Sequence, residues 1–206
     1  MFYKRGIIFV ISAPSGTGKT TLCEIICKQI PDLKMNISHT TRPPRPKEID
    51  GINYYFIDRE KFQEMIRKDE FLEWAEVYGN FYGTARKNVE ELLIKGYDVL
   101  LEIDTKGAKS VKQIYPESVL IFIMPPSIED LEKRLFKRDE DTETIKRRLS
   151  KVQEEISQLE NYDYILVNDD LEEAVKQLSC IIFAERLKTS RIDKEEIKNF
   201  LKNKEE

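Results

Sequence analysis

Residues 6–30 decide the fold, and they read GIIFVISAPSGTGKTTLCEIICKQI. The apolar run Ile7–Ser12 is continuous rather than alternating, which predicts a strand of a parallel sheet that is covered on both faces. The segment Thr20–Ile30 carries apolar residues at helical spacing and is predicted to be a helix. The loop Ala13–Thr20 joins the two directly, so the stretch predicts a β-strand, a tight loop and an α-helix in succession.

The loop, APSGTGKT, has the spacing of a phosphate-binding loop with Ala13 at the position of the usual first glycine. Gly16 and Gly18 allow the backbone to curl until its N–H groups face phosphate oxygens, and the following helix N-terminus attracts the same anion. Lys19 is then placed to reach the β- and γ-phosphates, and the Thr20 hydroxyl to ligate Mg²⁺. A glycine-rich turn that contains a lysine by chance is the alternative, but both flanking elements match the phosphate loop. The predicted ATP-binding residues here are Ala13, Pro14, Ser15, Gly16, Thr17, Gly18, Lys19, Thr20 and Thr21.

The rest of the chain alternates apolar runs with helical patterns. This alternation predicts an α/β fold with a parallel sheet core flanked by helices. The further predicted strands are Tyr97–Ile103, Val119–Met124, Tyr164–Val167 and, more weakly, Lys34–Ser38. The predicted helices between them are Asn88–Lys95, Ser127–Phe136 and Leu171–Ala184.

Two stretches interrupt the alternation. Residues 38–86 are rich in aromatic residues, proline and glycine, which predicts an inserted small α+β subdomain with one helix. Residues 136–151 are almost wholly charged and fit a solvated helical hairpin without a core of its own, a candidate mobile lid. We therefore expect a single domain over 1–206, with the core in 1–37, 87–126 and 156–190, the subdomain in 38–86, the lid in 127–155 and a helical tail in 191–206.

Composition excludes several classes of protein. The 206 residues carry 34 basic and 38 acidic side chains, a net charge of −4, which disfavours a broad nucleic-acid surface. Three cysteines and one histidine provide neither a disulfide framework nor a zinc quartet. The apolar runs are too short to span a bilayer, and Ile7–Ile11 is too short for a signal peptide. We expect a cytoplasmic protein without nucleic-acid or membrane partners, and the sequence does not decide between monomer and homo-oligomer.

A second candidate anion site lies in the segment TTRPPRP. Two prolines separate Arg42 from Arg45 and restrain the backbone, so the two guanidinium groups point in limited directions. Forked guanidinium groups suit a phosphate or a carboxylate, and Tyr54 and Tyr82 offer hydroxyls to the same anion. An ordinary solvated loop with surface arginines is the alternative, and the spacing alone leaves both open.

Six blocks of sequence, in order from Gly6 to Arg186, resemble the guanylate kinase family. The resemblance implies the reaction ATP + GMP ⇌ ADP + GDP with Mg²⁺, with dGMP as a further acceptor, in purine nucleotide metabolism and GMP recycling. It also implies a parallel-sheet core, a GMP-binding subdomain and a helical lid. The blocks are SAPSGTGKTT, SHTTRPPRPKEIDGINYYF, EFLEWAEVYGNFYGT, LLEIDTKGAKSVK, MPPSIEDLEKRL and VNDDL.

The resemblance also implies a site for GMP. The phosphate would be held by Arg42, Arg45, Tyr54 and Tyr82, and the guanine read by Ser38, Glu73, Thr84 and Asp104. Guanine presents two adjacent donors, N1–H and N2–H₂, that one carboxylate accepts together, whereas adenine would turn a lone pair towards Glu73. Glu102, which stands where the family usually has Asp, is assigned to the same site.

Over the triphosphate, the resemblance gives Arg134, Arg138 and Arg148 as catalytic cations, beside Lys19, and it places Asn168 near the adenine. Asp139 follows Arg138 where the family usually has Gly, and Lys106 stands where Gln is usual. On charge pattern alone, the run from Lys137 is better explained as a salt-bridged exposed helix.

Two other functions remain open at this point. One is a scaffold of the guanylate-kinase-like kind that binds phosphopeptides without turnover, although such domains generally have a degraded phosphate loop and Lys19 and Thr20 are intact here. The other is a phosphate-loop kinase with a different small acceptor, against which Glu73 and Thr84 argue.

Overall fold

A computed structural model describes residues 6–77, 79–136, 142–192 and 194–202. Arg138 and Asp139 lie outside these ranges. Residues 142–148 are described as part of a helix, but their side chains, including that of Arg148, lie outside the description.

The described ranges contain nine β-strands and eight α-helices. The strands are β1 Ile8–Ser12, β2 Leu33–Met35, β3 His39–Thr40, β4 Tyr55–Phe56, β5 Phe71–Val77, β6 Asn80–Ala85, β7 Asp98–Glu102, β8 Val119–Met124 and β9 Tyr164–Val167. The α-helices are α1 Lys19–Gln29, α2 Arg59–Arg67, α3 Arg86–Ile94, α4 Thr105–Ile114, α5 Ile128–Phe136, α6 Thr142–Ile156, α7 Leu171–Arg186 and α8 Lys194–Lys202.

The core sheet has the order β2-β7-β1-β8-β9, and every pairing in it is parallel. Its central strand β1 is buried along its whole length, and an apolar cluster covers each face of the sheet. The predicted α/β class is thereby confirmed.

One strand is displaced from its prediction, since β2 covers Leu33–Met35 rather than Lys34–Ser38. The reason is that the chain leaves this sheet after Asn36, whose N–H makes a last bond to the carbonyl of Leu100 at 2.9 Å.

A second sheet, of order β4-β3-β6-β5, lies within residues 39–85 and therefore inside the predicted subdomain. Helix α2 packs on it through Phe62 and Met65, which join Phe71, Phe81 and Ala85 in a separate apolar cluster. The second sheet thus has an apolar core that is separate from the two clusters of the main sheet.

Helices α5 and α6, in the region predicted to be the lid, share a small apolar core. Leu131 and Leu135 of α5 are buried against Val152 of α6, and Leu149 and Ile156 pack at the margin of this cluster. The spacing 149, 152, 156 is helical, and it forms an apolar stripe that the surrounding charges conceal in the sequence.

A buried ionic group joins the beginning and the end of the core. Asp98 accepts the N–H of Ile7 at 2.7 Å and the Arg186 Nε–H at 2.6 Å, and Arg186 also donates to the Pro31 carbonyl at 2.8 Å. These contacts fix α7 across the amino ends of β1 and β7. Among the described residues, no helix has the length and apolarity needed to cross a membrane.

Candidate active site

The phosphate loop lies at the carboxyl end of β1 and opens directly into α1. Gly16 and Gly18 have φ angles of 98° and 86°, a left-handed conformation that glycine adopts without strain. With Glu102 and Glu155, the loop residues 13–21 line a cavity of about 300 Å³. The predicted phosphate loop therefore has the backbone shape that cradles an anion at a helix N-terminus.

The carboxyl end of β7 brings Glu102 against this loop. Thr20 donates from Oγ1 to Oε1 of Glu102 at 2.6 Å, and Lys19 Nζ lies 4.0 Å from the same oxygen. Lys19 Nζ also donates to the carbonyl of Ile103 at 3.3 Å. Glu102 and Lys19 line both this cavity and the cleft described below, so they stand at the junction of the two.

Two residues that were predicted to bind ATP or to act in catalysis make hydrogen bonds to the backbone of the phosphate loop. Asn168 donates from Nδ2 to the Thr17 carbonyl at 2.6 Å. Arg134 donates to the same carbonyl at 3.4 Å and to the Asn168 carbonyl at 3.2 Å. The structure thus brings Arg134 and Asn168 together at the outer edge of the loop, in an arrangement that supports the backbone of Thr17.

The lid is also attached to the loop. A Cβ placed at Gly16 would lie 3.0 Å from a methyl carbon of Leu131 and 3.1 Å from one of Leu135, so α5 rests directly on the glycine. Further along the lid, Glu155 of α6 lines the phosphate cavity, and burial raises the pKa of its carboxyl to about 7 against the attraction of Lys19. Sequence reasoning missed Glu155, because a charged helix gives no sign of which carboxylate faces inward.

A cleft with a cavity volume of about 210 Å³ separates the core sheet from the second sheet. Most of the predicted acceptor residues line it. These are Ser38, Tyr54, Glu73, Tyr82, Glu102 and Asp104, and they are joined by Lys19, Met35, Asn36 and Asn53, among others.

Glu73 and Thr84 face each other across strands β5 and β6. Burial raises the pKa of Glu73 to about 7, a contact with the Thr84 hydroxyl lowers it, and the negative charge of Asp104 adds to the rise. The Thr84 hydroxyl is buried beside the carboxyl, but among the described residues it makes no hydrogen bond of good geometry. A half-buried carboxyl and a buried hydroxyl without a well-formed hydrogen bond cost free energy, and a ligand with matching donors and acceptor reduces that cost.

The two predicted arginines are placed differently from each other. The guanidinium of Arg42 lies 5.6 Å from the ring centroid of Tyr54, which is 6.0 Å from the ring of Tyr82. Glu48 accepts from Arg42 Nη2 at 2.9 Å and from the backbone N–H of Arg45 at 2.7 Å. Sequence reasoning missed Glu48, whose pKa is lowered by its hydrogen bond from Arg42. Arg42 and the two tyrosines therefore form a group, which Arg45 joins through its backbone.

A model of the guanylate kinase family matches residues 5–185. The chain belongs to the guanylate kinase family. Guanylate kinase from Carboxydothermus hydrogenoformans is 54% identical over 190 residues, which cover 92% of this chain and 93% of that protein. The one from Clostridioides difficile is 48% identical over 192 residues, 93% of this chain and 94% of that protein.

Comparison with solved structures gives the same family as comparison of the sequences. The crystal structure of guanylate kinase from Anaplasma phagocytophilum matches with a TM-score of 0.77 at 40% identity, over 93% of this chain and 92% of that one. Family membership confirms the predicted fold class and the predicted enzyme class, a nucleoside monophosphate kinase.

Proposed function

We propose that the chain transfers the terminal phosphoryl group of Mg²⁺-bound ATP to GMP, accepts dGMP as well, and serves purine nucleotide metabolism by recycling GMP. Phosphoryl transfer from ATP to GMP follows from family membership. The metal, the second acceptor, the metabolic role and the individual residues are the additional parts of the proposal. A cytoplasmic location stays a prediction from the sequence.

The observation that carries the proposal is the pair of half-buried Glu73, which lines the cleft, and buried Thr84 beside it. In the proposed complex the Glu73 carboxylate accepts from N1–H and N2–H₂ of guanine, and the Thr84 hydroxyl donates to O6. Adenine would present the lone pair of N1 to the carboxylate and no donor at C2, which leaves the carboxylate without its two hydrogen bonds. Neither interaction involves the ribose, so dGMP should bind in the same way as GMP.

For the acceptor phosphate, the proposal uses Arg42 with the hydroxyls of Tyr54 and Tyr82. Glu48 holds one nitrogen of Arg42, which fixes the direction of the guanidinium before the ligand arrives. Arg45 is proposed as a second cation for this phosphate. Ser38 and Asp104 line the base end of the cleft and complete the proposed acceptor site.

For the donor, the backbone N–H groups of the phosphate loop and the Lys19 ammonium are proposed to hold the triphosphate. The residues beside it fit Mg²⁺, because the Thr20 hydroxyl and the Glu102 carboxylate present hard oxygen ligands 2.6 Å apart. Within the described ranges, no group of three or more His, Cys, Asp or Glu side chains could hold a metal ion by itself. A cation bound here would therefore share its ligands with phosphate oxygens and water, as Mg²⁺ usually does. When bound, it neutralises charge on the phosphates during transfer.

No general base is needed in this mechanism, because the attacking oxygen belongs to the acceptor phosphate and is already anionic near neutral pH. The chain's own residues position the two phosphates, neutralise charge and exclude water. Lys19 lines both cavities and is proposed to lie against the transferring group. Arg134, Arg138 and Arg148 are proposed to add positive charge from the lid.

An acceptor panel tests this function. ADP release from ATP is measured with GMP, dGMP, IMP, AMP, CMP and UMP, each with Mg²⁺ and with excess chelator. We expect rapid turnover with GMP and dGMP, slow turnover with the other four, and loss of all turnover without the divalent cation. Equal turnover with AMP and GMP would contradict the assigned base site, and full activity in chelator would contradict the metal.

A further inference from the structure

Gly107 lies in the first turn of α4, where the local structure does not require glycine. Its φ angle is not in the left-handed region that characterises Gly16 and Gly18. Alanine is the better helix former at such a position. The N–H of Gly107 donates to Asp104 Oδ1 at 2.8 Å, a capping bond that a residue with a side chain makes equally well. The reason for a glycine must therefore come from outside the helix.

That reason is the side chain of Glu73. A Cβ at position 107 would lie 2.9 Å from Glu73 Oε2 and 3.3 Å from both Cδ and Cγ, and these are its three nearest neighbours. A carbon cannot approach an oxygen to 2.9 Å without displacement of one of the two. The Glu73 side chain thus rests on the bare backbone of α4.

Strand β5 is held too firmly to move away as a whole. Successive side chains of a strand point to opposite faces, so the neighbouring residues Phe71 and Leu72 enter different cores. Phe71 is buried in the cluster of the second sheet, while Leu72 is buried in the cluster that contains Ala108 and Val111 of α4. An added Cβ at 107 would therefore displace the carboxylate of Glu73 rather than the strand.

We propose that Gly107 is a positioning residue for selection of the acceptor base: the absence of a side chain there sets where the Glu73 carboxylate stands in the cleft. This inference rests on the proposed function, in which Glu73 accepts from the guanine. Two hydrogen bonds to one base edge require both carboxylate oxygens in register, so a displaced carboxylate loses at least one of them.

The test is a double-mutant cycle with Gly107→Ala, Glu73→Ala and the double variant, in which kcat/KM is measured for GMP and IMP. We expect Gly107→Ala to lower kcat/KM for GMP about tenfold, which is the effect of one lost hydrogen bond to a charged group. The ratio of kcat/KM for GMP to kcat/KM for IMP (the GMP/IMP ratio) should fall as well. KM for ATP should stay unchanged. In the Glu73→Ala background the added methyl group has room, so it should change none of these values. Lys109→Ala, on the exposed face of the same helix, is the matched control and should behave as wild type.

Thermal unfolding of all four proteins accompanies the kinetics. If Gly107→Ala has a lower melting temperature than the wild type, the double variant should melt at a higher temperature than Gly107→Ala, because truncation of Glu73 removes the clash. An unchanged GMP/IMP ratio in a folded Gly107→Ala, or a further full loss in the Glu73→Ala background, would overturn the role of Gly107. An unchanged ratio in Glu73→Ala itself would instead overturn the base-reading part of the proposed function.

Discussion

Lys19, like Glu102, lies where the phosphate-loop cavity meets the cleft between the two sheets. Lys19→Ala removes a cation that acts on charge developing during transfer, and one such stabiliser contributes on the order of 3–4 kcal/mol. We therefore expect kcat to fall roughly 10²- to 10³-fold, as measured by ADP release, with little change in the affinity for GMP by calorimetry. Lys28→Ala, exposed on the same helix, is the control. A variant with near-wild-type kcat would remove Lys19 from the mechanism.

Glu73 should make stability depend on pH in the ligand-free enzyme. Its carboxyl has an ordinary pKa of 4.5 in the unfolded chain and a pKa of about 7 when folded. Below pH 4.5 both states are neutral, whereas between pH 4.5 and 7 the unfolded state ionises more readily, so the wild type loses stability as pH rises. Glu73→Gln cannot ionise, so its melting temperature should exceed that of the wild type by clearly more at pH 8 than at pH 5.

The exposed carboxylate Glu70, next to the same strand, provides the control for this measurement. Glu70→Gln should leave the difference between pH 5 and pH 8 as it is in the wild type, because water solvates that group in both states. If Glu73→Gln shows no gain at pH 8, the buried carboxyl is not destabilising and its raised pKa is contradicted.

Among single residues, those whose chemistry follows from local spacing could be predicted as functional from the sequence. Lys19 and Thr20 belong to one short loop whose geometry is set by its neighbours in the chain. Glu48, Gly107 and Glu155 were missed because their significance depends on which distant group approaches them. A glycine in a helix or a glutamate in a charged run has no local signature of such an approach.

Among the elements, α5 connects the lid to the phosphate loop. Leu135 is fully buried between α6 and Gly16, and truncation of a buried leucine to alanine costs about 2–5 kcal/mol. We expect Leu135→Ala to lower the melting temperature clearly and to raise KM for ATP, because the support beneath Gly16 is lost. Its neighbour Phe136 is half exposed, so Phe136→Ala should change both quantities much less. Equal effects of the two substitutions would contradict the packing of α5 on the loop.

The elements were predicted well where one pattern dominates. Continuous apolar runs marked β1, β7, β8 and β9 to within one residue at each end. For β1, β7 and β8 the reason is that buried parallel strands have no polar face, whereas the edge strand β9 is apolar although Ile165 and Val167 are exposed. Helix α4 was not predicted, since its buried face consists only of Gly107, Ala108 and Val111. The lid core was missed for a similar reason, because few apolar residues stand among many charges.

At the scale of the whole molecule, the ion pair of Asp98 and Arg186 fixes the last long helix to the core sheet. Arg186→Ala would leave a buried carboxylate whose one remaining hydrogen-bond partner among the described residues is the Ile7 N–H, and loss of one member of a buried pair costs about 3 kcal/mol or more. Chemical denaturation should show this loss, while kcat at 25 °C stays unchanged. Lys61→Ala, which breaks an exposed pair with Glu64, should cost well under 1 kcal/mol. Similar losses in the two variants would show that the Asp98 site is not anchoring the fold.

How the two sheets lie relative to each other could not be predicted from local patterns. The sequence indicated a subdomain in 38–86, yet nothing in it places Glu73 beside Asp104 or against α4. That arrangement depends on Leu72 entering the main core while Phe71 enters the other, and which core covers each face of a strand is a property of the packed molecule.

The measurement that bears most directly on this account compares kcat/KM for GMP and IMP in the wild type and in Glu73→Gln. The substitution preserves size but puts an NH₂ where one acceptor stood, and a hydrogen bond to a charged group contributes about 1.5–3 kcal/mol. We predict that kcat/KM for GMP falls roughly 10- to 150-fold. The fall in kcat/KM for IMP should be smaller, because IMP lacks the 2-amino group, so the GMP/IMP ratio of kcat/KM decreases. An unchanged GMP/IMP ratio would contradict the claim that Glu73 reads the guanine.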